Sequence, residues 1–263
     1  MDFKINFFTC CNDLYSHFAP FFALSVLFHN ENSIVEIGFE SQNSINSIKN
    51  EINLINTLYD NKFRTKIVNF NFVELQGKQY PLSPNVVRFI NTPSIKAEYV
   101  YISDIDIICL EKNICDIHIQ NICKNNLKFS NMVRDKDAKY KKLTGLHFTP
   151  WDNYYPIKNF NNLILEGLLY HKNNMPLDEI FLYRLIKERG LDINENIKFR
   201  PVHGIHASPN RLPNGEKINW GMKIWHQNWL NFRNSEQFIK LEKISAPKIK
   251  EIILIIDSFY KNI

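Results

Sequence analysis

Over its first 110 residues the chain alternates two kinds of apolar pattern, and that alternation restricts the fold more than any other feature. The runs KINFFTC (4–10), SIVEIGFE (33–40), TKIVNFNFVEL (65–75) and YVYISDIDIICL (99–110) are short and rich in β-branched and aromatic residues, as buried strands are. Between them, NDLYSHFAPFFALSVLFHN (12–30) sets polar start signals ahead of apolar residues at helical spacing. SINSIKNEINLINTLYD (44–60) places Ile45, Ile48, Ile52, Ile55 and Leu58 on one helical face, and SPNVVRFINTP (83–93) predicts a helix bounded by prolines. Strands alternating with helices predict an α/β fold with a mixed, mostly parallel central sheet and helices on both faces.

The fourth run carries two charges where a buried strand should carry none. Asp104 and Asp106 sit in SDID, and an ionised carboxylate taken out of water without a partner costs several kcal/mol. Side chains two apart on a strand share a face about 7 Å apart, so the pair can converge on one cation. In open parallel sheets ligands bind beyond the carboxyl ends of the strands, and the fourth strand delivers both aspartates there. A second D-x-D, Asp135 and Asp137, lies among Arg134, Lys136 and Lys139 and reads as a solvated segment.

Beyond residue 111 the patterns loosen. HIQNICKNNLKF and MVRDKDAKYKKL are mixed, LTGLHFTPW (143–151) predicts a short strand ending in a turn, and NFNNLILEGLLYHKN (159–173) a helix. PLDEIFLYRLIKERG (176–190) is a well-signalled helix: Asp178 and Glu179 load its first turn, Lys187 and Arg189 its last, and Gly190 stops it. IKFRPVHGIHASP (197–209) predicts a late strand running into a loop with His203 and His206, and APKIKEIILIIDSFYKNI a closing helix. Residues 1–235 are expected to form one catalytic domain, with 236–263 a helical segment packed on it. Trp220, Trp225 and Trp229 cluster in NWGMKIWHQNWLNF, where packing of the C-terminal segment is the expectation.

The net charge of +5 has no long basic run apart from KYKK at 139–142. It fits a cleft for a phosphorylated ligand, or weak attraction to anionic lipid, rather than nucleic acid. Cys10, Cys11, Cys109, Cys115 and Cys123 are an odd count without a C-x-x-C, which predicts free thiols in a reducing compartment. No secretory signal opens the chain and no apolar run spans a bilayer, so a cytoplasmic protein is expected, at most peripheral at the inner face of the membrane.

The order of these motifs resembles the GT-A glycosyltransferases, and most closely the metal-dependent sugar transferases of family 8, which include bacterial galactosyltransferases and glycogenin. The opening FFTCCNDLYSHFAPFFALSVLFHN is similar to that family's nucleotide-binding start. The resemblance implies that Thr9, Cys11, Asn12, Asp13 and Tyr15 line a uracil and ribose pocket, and that Arg88 and Asp104 approach the donor. SDID matches the family's metal-binding D-x-D, TGLHF its sugar- and acceptor-facing strand, and PLDEIFL the later dyad facing the sugar. Asp106 is implied to be the stronger metal ligand of the pair. The family's third ligand, a histidine before a glycine and a Lys-Pro-Trp turn, corresponds here to His203 or His206, since HGIHASPNR lacks that turn. A carboxylate, Asp178 or Glu179, replaces the dyad's usual glutamine, which leaves a retaining or an inverting course open.

The resemblance thus implies transfer of a sugar from a nucleotide diphosphate, most simply a UDP-sugar, to a glycan acceptor of a surface polysaccharide or lipid-linked glycan. Oxygen ligands suit Mg²⁺ or Mn²⁺, and a histidine shifts the preference toward Mn²⁺. Arg88, Lys141 and Lys142 are candidate phosphate contacts. Two other readings compete: a different Mg²⁺-dependent phosphate enzyme such as a nucleotidyltransferase, although TCCNDLY is not its Gly-rich loop, and a non-catalytic nucleotide-sugar-binding module.

Overall fold

In a computed structural model the described residues are 3–134, 139–157, 160–166, 177–199, 203–207 and 223–261. In chain order the strands are β1 (Ile5–Cys11), β2 (Ser33–Phe39), β3 (Phe63–Ile67), β4 (Phe72–Leu75), β5 (Lys78–Pro81), β6 (Tyr99–Ile102), β7 (Ile107–Cys109), β8 (Val133–Arg134), β9 (Lys142–Leu143), β10 (His147–Pro150) and β11 (Gly204–His206). The helices are α1 (Ala19–His29), α2 (Gln42–Ser47), α3 (Lys49–Leu58), α4 (Val87–Ile90), α5 (Ile114–Asn125), α6 (Trp151–Tyr154), α7 (Asn161–Leu165), α8 (Leu177–Glu188), α9 (His226–Arg233), α10 (Glu236–Ile244) and α11 (Pro247–Lys261).

Among the described residues the central sheet has five strands in the order β10-β6-β1-β2-β3. The β6-β1-β2-β3 part is parallel and β10 runs antiparallel on the β6 edge. Every residue of β1 and β2 is buried, the signature of strands covered on both faces. Side-chain alternation divides them between two cores. Ile5, Phe7 and Cys11 of β1, with Val35, Ile37 and Phe39 of β2, pack against α1 and the C-terminal helices. Phe8 and Cys10 pack on the other side with Val87, Phe89, Trp151, Phe181 and Leu185.

The structure revises several boundaries. The 65–75 run is not one strand: Asn69 Oδ1 accepts the N–H groups of Asn71 and Phe72 and turns the chain, and β4 pairs with β5 as a hairpin. Gln76 and Gly77 both have positive φ at its tip, +52° and +73°, as a tight two-residue hairpin turn requires. The 44–60 helix is two, α2 capped by Ser41 Oγ and α3 beginning after Ile48. The 83–93 helix contracts to the single turn of α4. The segment that reads as mixed holds α5, which ends on Asn126 in the left-handed region.

The last two helices share the first core, through Phe238, Leu241, Ile252 and Ile256. Trp229 is fully buried there and donates to Asp257 Oδ1 at 2.9 Å; Trp225 is also buried. Both therefore pack, as expected, while Trp220 lies outside the described residues. All five cysteines are free thiols, four of them buried. Among the described residues no helix is long and apolar enough to cross a membrane.

Candidate active site at the carboxyl edge of the sheet

YVYISDIDIICL is two strands rather than one, and the aspartates occupy the break. β6 leaves the parallel sheet at Ile102, where the Ser103 N–H still donates to Phe8 O at 3.1 Å and Thr9 Oγ1 donates to Ser103 O at 2.8 Å. A turn at 105–106 then redirects the chain into β7, which pairs antiparallel with β11. Asp104 and Asp106 thus lie on a corner beyond the strand end, which spares both a burial inside the sheet. Asp104 keeps 30% side-chain exposure and Asp106 10%.

The β7-β11 ladder brings His206 to that corner. Leu110 N donates to His203 O and Ala207 N to Asp106 O, both at 2.7 Å. The approach is so close that a Cβ on Gly204 would lie 1.8 Å from Ile108 O, so only glycine fits there. Each of Asp104, Asp106 and His206 offers one ligand atom, all within 4.8 Å of one another. His206 Nε2 is 3.9 Å from Asp104 Oδ2. His206 Nδ1 is buried without a hydrogen bond, its nearest carboxylate oxygen, Asp106 Oδ2, standing 3.4 Å away. Two carboxylates and an imidazole whose buried nitrogen lacks a hydrogen-bond donor or acceptor form a donor set suited to a divalent cation.

His203 is not part of this cluster. Three positions from His206, it points the other way, and its Nε2 meets His118 Nε2 at 3.0 Å. His118 Nδ1 in turn meets Ser130 Oγ at 2.7 Å. Burial pushes His203 down to about 3 and His118 well below the ordinary imidazole value, with His203 and His147 adding to the depression of His118. His203 is a neutral core histidine, and His206 is the one of the two that stands beside the aspartates.

Arg88 ties the corner to α8. Its guanidinium Nη2 is 2.8 Å from Asp104 Oδ1 and 3.0 Å from Asp178 Oδ2. Burial works against its charge, but Asp104, Asp178 and Asp106 together hold its pKa above the ordinary arginine value. Its Nε is buried without a partner. Gly145, in the TGLHF segment, makes room: a Cβ there would stand 2.9 Å from Arg88 Nη2 and 3.6 Å from Asp104 Oδ2. Burial raises the Asp178 carboxyl despite Arg88. Glu179 pairs with Arg134 at 2.5 Å, and burial raises it too, against the pull of that arginine.

The opening segment is divided. Thr9 and Cys11 are buried within the sheet, Cys11 in the apolar core, so neither side chain opens onto the edge. Asn12 begins a 3-10 turn, and Asp13 accepts from Ser41 Oγ at 2.8 Å and from Ser44 Oγ, tying that turn to α2. Tyr15 is 36% exposed and stacks on Phe18 with ring centroids 5.8 Å apart. Lys141 grips Glu195 through both oxygens at 2.6 Å, away from the aspartates. Asp135 and Asp137 lie outside the described residues. The His118–His203 pair, the glycines at 145 and 204 and the bridging role of Arg88 carry no local sequence signal beyond residue type.

No protein-family model and no curated protein sequence matches the chain. Among solved structures, the galactosyltransferase LgtC in complex with donor and acceptor sugar analogues is 10% identical over 90% of this chain and 99% of that one, with a TM-score of 0.51. The apo-form glycosyltransferase GlyE of Streptococcus pneumoniae TIGR4 is 12% identical over 72% of this chain and 44% of that one, with a TM-score of 0.46. A cytidylyltransferase from Leptospira borgpetersenii is 10% identical over 97% of each chain, with a TM-score of 0.40. The likeness to LgtC extends over nearly the whole of both chains and includes the mixed sheet with helices on both faces; the chain has the GT-A fold.

Proposed function

We propose that the chain is a metal-dependent glycosyltransferase moving a sugar from a nucleotide diphosphate, a UDP-sugar, to a glycan acceptor of a bacterial surface polysaccharide or lipid-linked glycan. The observation that carries this reading is the convergence of Asp104, Asp106 and His206 at the carboxyl edge of a GT-A sheet, where such sheets take their ligands. These three residues would hold Mn²⁺ or Mg²⁺. When bound, that ion supplies positive charge to the departing diphosphate as negative charge builds on it.

The remaining roles fall to the chain itself. Arg88 fixes Asp104 and Asp178 relative to each other and sets a permanent cation beside the diphosphate. Tyr15, exposed at the end of β1 and braced on Phe18, offers a face for the nucleobase. Asp178 and Glu179, at the start of α8, face the sugar; burial raises both carboxyls and so makes their ionised forms more basic. One of them acts on the acceptor hydroxyl as a general base, or holds the sugar while the acceptor attacks.

Thermal unfolding of the purified protein with UDP, with and without Mn²⁺, tests the reading. A ligand at a hundred times its Kd stabilises by about 2.7 kcal/mol. A rise in the midpoint with UDP and Mn²⁺ together, lost in Asp106→Asn, is expected, followed by release of UDP from a UDP-hexose. No stabilisation by any nucleoside diphosphate with metal, or an undiminished shift in Asp106→Asn, would overturn it.

A further inference from the structure

α8 carries a second feature besides the two carboxylates at its start. Ile180, Tyr183, Arg184, Lys187 and Glu188 lie along one helical face, Tyr183 and Arg184 three and four residues after Ile180, Lys187 and Glu188 one turn further on. Opposite that face runs the 139–141 segment, and between them lies a cavity of about 430 Å³ lined by Lys139, Tyr140, Lys141, Ile180, Tyr183, Arg184, Lys187 and Glu188, four cationic side chains against one carboxylate. Glu179 stands one turn before Tyr183 on the same side of the helix. By the 1.5 Å rise per residue, the cavity leads away from the carboxylate pair for about 12 Å.

The lining has a specific chemical character. Lys141 and Arg184 are engaged by Glu195 and Glu166 respectively. Lys139 and Lys187 have no carboxylate within 4 Å among the described residues; their ammonium groups stand 5.3 Å from the Tyr140 ring centre and 5.8 Å from that of Tyr183. Tyr140 is 43% exposed. Its ring presents an amphipathic face to the cavity beside the ammonium groups of Lys139 and Lys187. Rings with a polar rim suit the C–H faces of a sugar, and the ammonium groups suit a carboxylate carried on it. A neutral saccharide would leave the cations unused, and a flat apolar ligand would leave them desolvated.

We propose that this cavity is a binding subsite for an anionic saccharide, a chain bearing uronate carboxylates, whose end it directs toward Asp178 and Glu179. The inference rests on the glycosyltransferase reading and narrows the acceptor to an acidic glycan. Lys139 and Lys187 bind the carboxylates and Tyr140 the sugar face. Electrostatic binding of this kind weakens with salt.

Titration of the full chain with tetragalacturonate, followed by calorimetry at low and at physiological salt, tests it. Maltotetraose, inorganic phosphate, anionic phosphatidylglycerol vesicles and a DNA duplex serve as comparison probes. The acidic tetrasaccharide is expected to bind at least tenfold more tightly than the neutral one, and to lose at least tenfold in Lys139→Ala/Lys187→Ala. Stabilisation of that double variant by UDP and Mn²⁺ should equal the parent's, which shows that the fold and the donor site survive. Absent binding of tetragalacturonate, equal binding of maltotetraose, or undiminished binding by the double variant overturns the subsite. Equal or tighter binding of phosphate, vesicles or DNA replaces the acidic saccharide with a general anion surface and also overturns it. Loss of the UDP and Mn²⁺ response in the parent protein refutes instead the donor-site reading.

Discussion

Replacing Arg88 with Met keeps most of the side-chain volume and removes the cation. Arg88 is 5% exposed and its Nη2 lies within 3.0 Å of both Asp104 and Asp178. Breaking a buried pair by removing one partner costs about 3–5 kcal/mol. The 30% exposure of the Asp104 side chain places this case near the lower end, about 3 kcal/mol. For a chain of this size that corresponds to a fall in Tm of roughly 6–12 °C. The dependence on pH follows from Asp178. Burial raises its carboxyl, Arg88 pulls it down and Asp104 pushes it up again, so losing Arg88 raises it further. A carboxyl whose folded pKa is raised favours the folded state below its unfolded value, and that advantage disappears as pH rises through the folded pKa. The deficit of Arg88→Met is therefore full at pH 7.5 and narrower at pH 5.5, and Arg88→Met/Asp178→Asn recovers a large part of it. Thermal and urea unfolding of the metal-free proteins at both pH values measure this. A Tm within 2 °C of the parent, a deficit that widens on acidification, or no recovery in the double variant would refute the bridging role of Arg88.

Other perturbations test separate parts of the structure. His118, His147 and His203 are buried, with His147 and His203 each pushed down to about 3 by burial and His118 well below its ordinary value. Stability from keeping them neutral is present above about pH 6.5 and is lost as pH falls below it, by as much as roughly 4 kcal/mol per pH unit for three groups; a flat urea midpoint from pH 7.5 to 5.5 would contradict this. Gly145→Ala drives a Cβ to 2.9 Å from Arg88 Nη2; it should cost about 1–2 kcal/mol in urea unfolding and weaken the UDP and Mn²⁺ response more than that loss alone explains. Trp229→Ala empties a fully buried site and removes the bond to Asp257, an expected loss of about 3–5 kcal/mol with the nucleotide response of the surviving folded protein intact.

The sequence patterns located the sheet and its functional edge better than they located individual contacts. The alternating runs correspond to β1, β2, β3 and β6, and SDID does fall just past the fourth strand of the central sheet. The break inside YVYISDIDIICL was hidden because β7 is as apolar as β6; what separates them is a change of pairing partner, from β1 to β11, and pairing between distant segments leaves no local periodicity. α5 was obscured because His118 and Asn121 face inward into a polar network with Ser130, which blurs the apolar stripe. His203 and His206 were separable in part, since residues three apart on a strand face opposite ways. Cys11 shows the limit of carrying a motif over by position: it stands at the strand end, yet its parity with Ile5 and Phe7 turns the thiol into the core.

The crowding of carboxylates at the sheet edge bears on the proposed divalent ion. Glu179 is balanced by Arg134. Asp104, Asp106 and Asp178 all act on the guanidinium of Arg88. Carboxylates set this close in a partly buried corner repel one another, and the repulsion is screened less than at an open surface. A dipositive ion held by Asp104, Asp106 and His206 would offset more of that repulsion than a monovalent one. Mn²⁺ alone, with no nucleotide, is therefore expected to raise the unfolding midpoint of the full chain, and K⁺ at the same ionic strength is not. Asp106→Asn removes one of the crowded charges and a proposed ligand together, so it should unfold no more readily than the parent in EDTA while losing most of the Mn²⁺ response. A parent protein indifferent to Mn²⁺, or an Asp106→Asn variant much less stable than the parent in EDTA, would show that the corner is balanced by contacts within the chain and does not need the ion.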